Sequence, residues 1–243
     1  MCEMCRRNSI VRFEPSRRSV LGAAVSTVGL LLASAAGAKE MRAPPKPQNV
    51  LTPAASLERL KRGNARYVEG VSLRHDFKHE REALAGGQNP FAAVLSCADS
   101  RIAPEYAFDS GRGDLFVCRV AGNFANSESV ASLEYAVAEL GTPLILVLGH
   151  DACGAVDATI KSLKDNTTLP GHLPSLVEGI APAVKAVSQQ AGDTLANAIR
   201  QNVIDNVGKL SSATPILSAA LEQNKLKVVG GIYRLKDGRV EMV

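Results

Sequence analysis

Apolar residues gather along this chain in two kinds of block, and the two kinds alternate. Ala92–Cys97 and Leu144–His150 are short runs rich in Val, Leu and Ile, each closed by small or polar residues. That is the pattern of strands buried on both faces, as in the middle of a parallel sheet. Leu115–Val120 and Lys227–Leu235 are two more strand-length runs, and Lys236-Asp237-Gly238 turns the second into Arg239–Val243, an antiparallel partner. Between the strands the period lengthens to that of a helix. Leu57, Leu60, Asn64, Tyr67 and Val68 share one helical face behind a cap at Ser56, although Gly63 weakens the helix. It finds few core partners so early in the chain. Val130, Leu133, Val137 and Leu140 form a second stripe, stopped by Gly141 where a left-handed cap is wanted. Another helix follows Cys153, and Val177–Ala186 and Leu195–Leu210 read as longer ones. Thr214-Pro215 reads as a cap with proline at the first helical position, opening a helix that ends near Asn224. Strands alternating with helices predict an α/β fold: a central, mainly parallel sheet of about four strands, an added antiparallel C-terminal strand, and flanking helices.

In such a sheet, sites form beyond the carboxyl ends of the strands. Cys97 and His150 therefore emerge at one edge of the sheet, with Cys153 in the first turn of the next helix. Two thiolates and an imidazole are donors that suit zinc, and three protein ligands leave a fourth tetrahedral position for water or substrate. Taken singly, each cysteine reads as a small buried hydrophobe and His150 as a hydrogen-bonded strand-end residue. With Asp99 and Arg101 beside Cys97 they read together as a catalytic metal centre. Cys118, inside the Leu115–Val120 run, reads as core. His75 and His79 lie in a polar segment and His172 in a Pro-Gly loop, so all three read as solvated, and no proton shuttle stands out.

With 243 residues, 46% of them hydrophobic, the chain can bury one sizeable core. Formal net charge is +4, but residues 1–38 hold five Arg against two Glu, leaving 23 basic and 22 acidic residues elsewhere. No basic surface argues for nucleic acid. Arg17-Arg18 precedes an uncharged stretch from Val20 to Ala36, closed by Ala36-Gly37-Ala38. This pattern predicts a cleavable signal peptide over residues 1–38, of the twin-arginine type, and hence a periplasmic protein with no stable membrane anchor after processing. Residues 39–55 are a Pro-rich linker and 56–243 the catalytic domain. Cys2 and Cys5 fall in the leader. The mature chain then keeps Cys97, Cys118 and Cys153, an odd number that forms no disulfide framework.

The Cys97-x-Asp99-x-Arg101 loop followed by His150-x-x-Cys153 is the signature of the β-class carbonic anhydrases, and the chain resembles that family well beyond it. Leu57–Arg66 is similar to the family's amino-terminal helix, Gly113–Asn123 to its second strand and loop, and Ser132–Val137 to its next helix. The resemblance implies the β-carbonic anhydrase fold and one Zn2+ per chain on Cys97, His150 and Cys153. It implies reversible hydration of carbon dioxide to bicarbonate and a proton by attack of zinc-bound hydroxide. Asp99 would orient that nucleophile and Arg101 would hold Asp99 off the metal; once released, Asp99 becomes a fourth ligand and shuts the site. It further implies a substrate pocket of Gln88, Phe116, Ala121, Tyr135 and Gly154, with Phe116 and Tyr135 partly contributed across the interface of a homodimer or a dimer-based higher oligomer. The first helix is implied to embrace the second subunit. Some β-class enzymes bind inhibitory bicarbonate at a second site built from Trp, Arg and Tyr; this chain contains no Trp, so that triad is incomplete. Two other readings stand beside this one. Hydrolases of carbonyl sulfide or carbon disulfide share the same five residues, and a non-catalytic zinc or redox-sensing protein would use Cys97 and Cys153 as a reversible disulfide.

Overall fold

A computed structural model describes residues 49–243. The expected signal peptide and most of the expected linker lie outside the described residues. Thirteen elements follow in the order α1 (Pro53–Val68), α2 (Phe77–Leu84), β1 (Ala92–Ser96), α3 (Pro104–Ala107), β2 (Leu115–Arg119), α4 (Ser127–Ala138), β3 (Leu144–His150), α5 (Gly154–Lys164), α6 (Pro174–Ala186), α7 (Thr194–Ser211), α8 (Ile216–Glu222), β4 (Lys227–Tyr233) and β5 (Val240–Met242). The strands form one sheet in the order β2-β1-β3-β4-β5. Its first four strands are parallel and β5 runs antiparallel to β4.

Every residue of β1 and β3 is buried, which is why their sequences are unbroken apolar runs rather than alternating ones. The pleat sends Ala93, Leu95, Ile145 and Val147 into a core completed by residues of α4 to α8. It sends Ala92, Val94, Leu144, Leu146 and Leu148 into a second core with Leu60, Ile102 and Phe108 on the other face. Among the described residues no helix is long and apolar enough to cross a membrane.

Several boundaries differ from the sequence expectation. The first helix starts at Pro53, capped by the Thr52 hydroxyl, which accepts from the Ala55 amide at 3.2 Å. Ser56, expected as the cap, is buried inside the first turn. The folded body also begins before residue 56: Asn49 is buried and donates to Asp114 Oδ1 at 2.9 Å. Helix α1 does find partners in its own chain. Leu60 is buried in the second core, and Asn64 donates to the carbonyls of Ala107 and Gly238 while accepting from the Val240 amide. Gly63 has a reason here, because a Cβ at that position would stand 1.9 Å from the Phe108 carbonyl oxygen. At the other end of the chain Pro215 is the N-cap of α8 rather than its first residue, and the Thr214-Pro215 peptide is cis. Helix α2 falls in the segment read as polar, and there His75 is not simply solvated: it stacks on Phe77 and lies 3.2 Å from Glu80.

Candidate metal centre

β1 and β3 are neighbours and parallel, so the residues at their carboxyl ends, Cys97 and His150, come out side by side. The chain then reverses through Asp151 and Ala152, the latter with φ at 50°, a left-handed conformation that costs a non-glycine residue about 1–2 kcal/mol. That turn returns Cys153 to the same point as N-cap of α5, one residue before the helical turn expected for it; its side chain caps nothing. The sulfurs of Cys97 and Cys153 are 4.0 Å apart, and the three ligand atoms of Cys97, His150 and Cys153 all lie within 4.8 Å of one another.

The chemistry of this cluster fits zinc. All three residues are buried. His150 Nδ1 lies 2.8 Å from the Asp151 carbonyl oxygen, which can only accept, so Nδ1 carries the proton and Nε2 offers a lone pair. Nε2 is buried and finds no hydrogen-bond partner. An orphaned buried acceptor facing two sulfurs is costly unless a cation occupies the gap. Donation from Cys153, helped by the Gly122 amide, holds the Cys97 thiol below its usual range against the cost of burial, while the same bond and burial push Cys153 up. Gly122 donates to Cys97 Sγ at 3.3 Å from a backbone at φ 85°, where a Cβ would meet Ile180 at 2.4 Å.

Asp99 and Arg101 stand at the mouth of the cluster. Arg101 donates to Asp99 from its own amide (2.9 Å), from Nε (2.9 Å) and from Nη2 (2.7 Å). The Arg101 guanidinium and amide hold the Asp99 carboxyl well below the usual carboxylate range despite partial burial. Asp99 Oδ2 is 3.9 Å from His150 Nε2. Arg101 Nη2 also reaches the Ala152 carbonyl at 3.3 Å, tying the two ligand-bearing loops together.

Sequence reasoning missed the residues that hold those loops from outside. From the end of β2, Arg119 donates to the carbonyls of Cys97 (2.9 Å), Asp99 (2.7 Å) and Ile102 (2.9 Å). Just after β4, Arg234 grips the Asp151 carboxylate at 2.6 Å. From α7, Asn202 donates to the Gly122 carbonyl, Asn206 accepts from the Ala125 amide, and Lys209 donates to the Ala125 carbonyl. Their signal was faint: polar residues at i, i+4 and i+7 on a helix that also carries Arg200, Gln201 and Asp205.

Of the expected substrate residues, Ala121 immediately precedes Gly122, and Gly154 opens α5 beside Cys153 with open space where a Cβ would project. The other three do not reach the cluster within one chain. Gln88 precedes β1, so the whole strand, about 15 Å at 3.3 Å per residue, separates it from Cys97. Phe116 pairs in register with Ala93, at the opposite end of β1 from Cys97, and Tyr135 of α4 packs against it with ring centroids 6.4 Å apart. A cavity of about 830 Å³ also lies away from the cluster, between Tyr67, Phe77, Tyr106 and Leu115.

A family profile described as carbonic anhydrase matches residues 92–240. Carbonic anhydrase 2 of Mycobacterium tuberculosis is 39% identical over 188 residues, covering 77% of this chain and 91% of that protein. The carbonic anhydrase of Mycolicibacterium smegmatis is 40% identical over 192 residues, covering 78% and 93%. Among solved structures, the β-carbonic anhydrase CcaA superposes with a TM-score of 0.59 at 30% identity, over 76% of this chain and 94% of that one. A structure described as one of two tetrameric β-carbonic anhydrases of Sordaria macrospora gives 0.61 at 25%, over 78% and 94%.

Proposed function

The chain belongs to the β-carbonic anhydrase family, and on that premise we propose that it hydrates carbon dioxide reversibly with one zinc ion held by Cys97, His150 and Cys153. The observation that carries this reading is the orphaned His150 Nε2, aimed between two sulfurs with an ionised Asp99 beside it. Zinc in that position supplies Lewis acidity, which lowers the pKa of water and makes a nucleophile available near neutral pH. The chain's residues do the rest. The Asp151 carbonyl fixes the His150 tautomer. Asp99 accepts a hydrogen bond from the attacking water and aims its lone pair at the carbon. Arg101 keeps Asp99 ionised and turned away from the ligand position.

Gln88, Phe116 and Tyr135 serve the substrate pocket of a second copy in this reading, which makes the working unit a homodimer or a dimer-based assembly. Residues 1–38 act as a twin-arginine signal, delivering a folded, metal-loaded enzyme to the periplasm. Replacing Arg17 and Arg18 by Lys keeps the charge and is expected to block that route; unchanged periplasmic activity would exclude it. For the chemistry, the test is metal analysis of the processed protein joined to stopped-flow hydration of carbon dioxide, with carbonyl sulfide and carbon disulfide assayed alongside. One zinc per chain and rapid hydration are expected. A metal-free protein with a Cys97–Cys153 disulfide, or one that turns over only the sulfur gases, would overturn the proposal.

A further inference from the structure

Arg234 has no part in holding metal, yet it is the centre of a chain of contacts that ends on a metal ligand. It leaves the sheet directly after Tyr233, the last residue of β4, which pairs in register with His150. One arm of its guanidinium grips Asp151 Oδ1 at 2.6 Å and the other grips Glu241 Oε2, on β5, at 2.5 Å. Asp151 is fixed a second time, by its amide donating to the Tyr233 carbonyl at 3.1 Å. The carbonyl of that same Asp151 accepts from His150 Nδ1. Side chain, amide and carbonyl of one residue are thus committed at once, two of them to the β4–β5 hairpin and the third to the imidazole. The turn they hold includes Ala152, whose left-handed backbone has no glycine to ease it.

We propose that Arg234 is a positioning residue for the metal centre: anchored by Glu241, it locks Asp151 so that the Asp151 carbonyl sets the tautomer and ring plane of His150. The C-terminal hairpin is thereby a buttress of the ligand set rather than only an edge of the sheet. This rests on the reading of His150 as a metal ligand. Partners behind a ligating histidine typically govern metal affinity by about 10–100-fold, and a fork between two carboxylates is a geometry that guanidinium supplies and a point charge does not.

The test uses the full processed protein and reads metal, not turnover. Zinc affinity is measured by chelator competition, and the ligand field by the visible spectrum of the cobalt(II)-substituted protein. Arg234→Ala and Asp151→Asn are each expected to weaken zinc binding about 10–100-fold and to alter the cobalt spectrum, with Glu241→Gln showing a smaller change of the same kind. The double variant Arg234→Ala/Asp151→Asn is expected to be no worse than the poorer single variant, since both cut one path. Val240→Ala is the control, loosening the same hairpin through packing alone; it should lower thermal stability and leave the cobalt spectrum as it was. Asp151→Asn leaves the Arg234–Glu241 pair in place, so it remains informative where Arg234→Ala fails to fold. Wild-type zinc affinity in Asp151→Asn, full additivity in the double variant, or an equal spectral change in Val240→Ala would each overturn the proposal. Those results would leave the zinc assignment standing, whereas a wild-type protein that binds no zinc removes both.

Discussion

At the carboxyl ends of β1 and β3, Cys97, His150 and Cys153 are all but sealed from solvent, and the loops that bear them are pinned by Arg101, Arg119 and Arg234. Along the outer strand β2 the chain is built differently. Phe116 is half-buried, Tyr135 is 50% exposed, and among the described residues the strand itself has a neighbour on one side only. The first region ties its loops together inside one chain and leaves His150 Nε2 without a protein partner. The second leaves apolar side chains and a strand edge that the described residues do not cover, the kind of surface that takes a partner. Under the proposed function, holding the metal and shaping the substrate pocket would be separable properties, the former of the single chain and the latter of an assembly.

The harshest way to break that division is to remove a ligand. Cys153→Ser is expected to lose zinc and hydration activity together, because two remaining ligands hold the ion poorly; metal analysis and stopped-flow rates on the same sample check it. Arg101→Ala should come next, nearly abolishing turnover with zinc still bound, since the freed Asp99 takes the open position. A crystal structure of that variant with water on the metal and Asp99 remote would refute the gating role. Substitutions on the other side of the comparison should cut differently. Tyr135→Ala and Phe116→Ala are expected to keep a full complement of zinc and a normal cobalt spectrum while hydration falls about tenfold or more through misplaced substrate. If either loses metal in proportion to rate, the two regions are not separable.

The mildest probe is acid. The folded-state pKa of Asp99 is depressed, so its pairing contributes stability that is present above the unfolded value of about 4 and fades as pH falls toward the folded one. Arg101 is half exposed, which keeps the contribution within about 1 kcal/mol. Asp99→Asn should flatten the acid limb of the unfolding curve by no more than that, measured as Tm against pH.

How much of this was legible beforehand depended on how far apart the contributing residues lie. β1 and β3 could be read almost to the residue because strands buried on both faces carry an unbroken apolar run. The metal cluster was legible because the strand ends and the ligand motif coincide. Helix α2 was not, since Phe77–Leu84 has no buried residue and so no apolar stripe to betray it. Thr52-Pro53 and Thr214-Pro215 are the same dipeptide before a helix, yet only the first is cap and first turn. The second takes its geometry from surroundings that a local pattern does not contain. Arg119, Asn202 and Arg234 act on loops 17 to 83 positions away, and nothing in their own neighbourhood announces it.

That separation along the chain has a consequence in time. The amide aimed at Cys97 belongs to Gly122, whose carbonyl is held by Asn202, while the turn before Cys153 is held by Arg234. A ribosome reaches Cys97 and His150 long before it has made either support. A nascent chain arrested short of α7 should therefore carry all the ligands and retain little zinc, as chelator challenge of stalled chains would reveal. Metal loading is then expected to be one of the last events of this protein's synthesis.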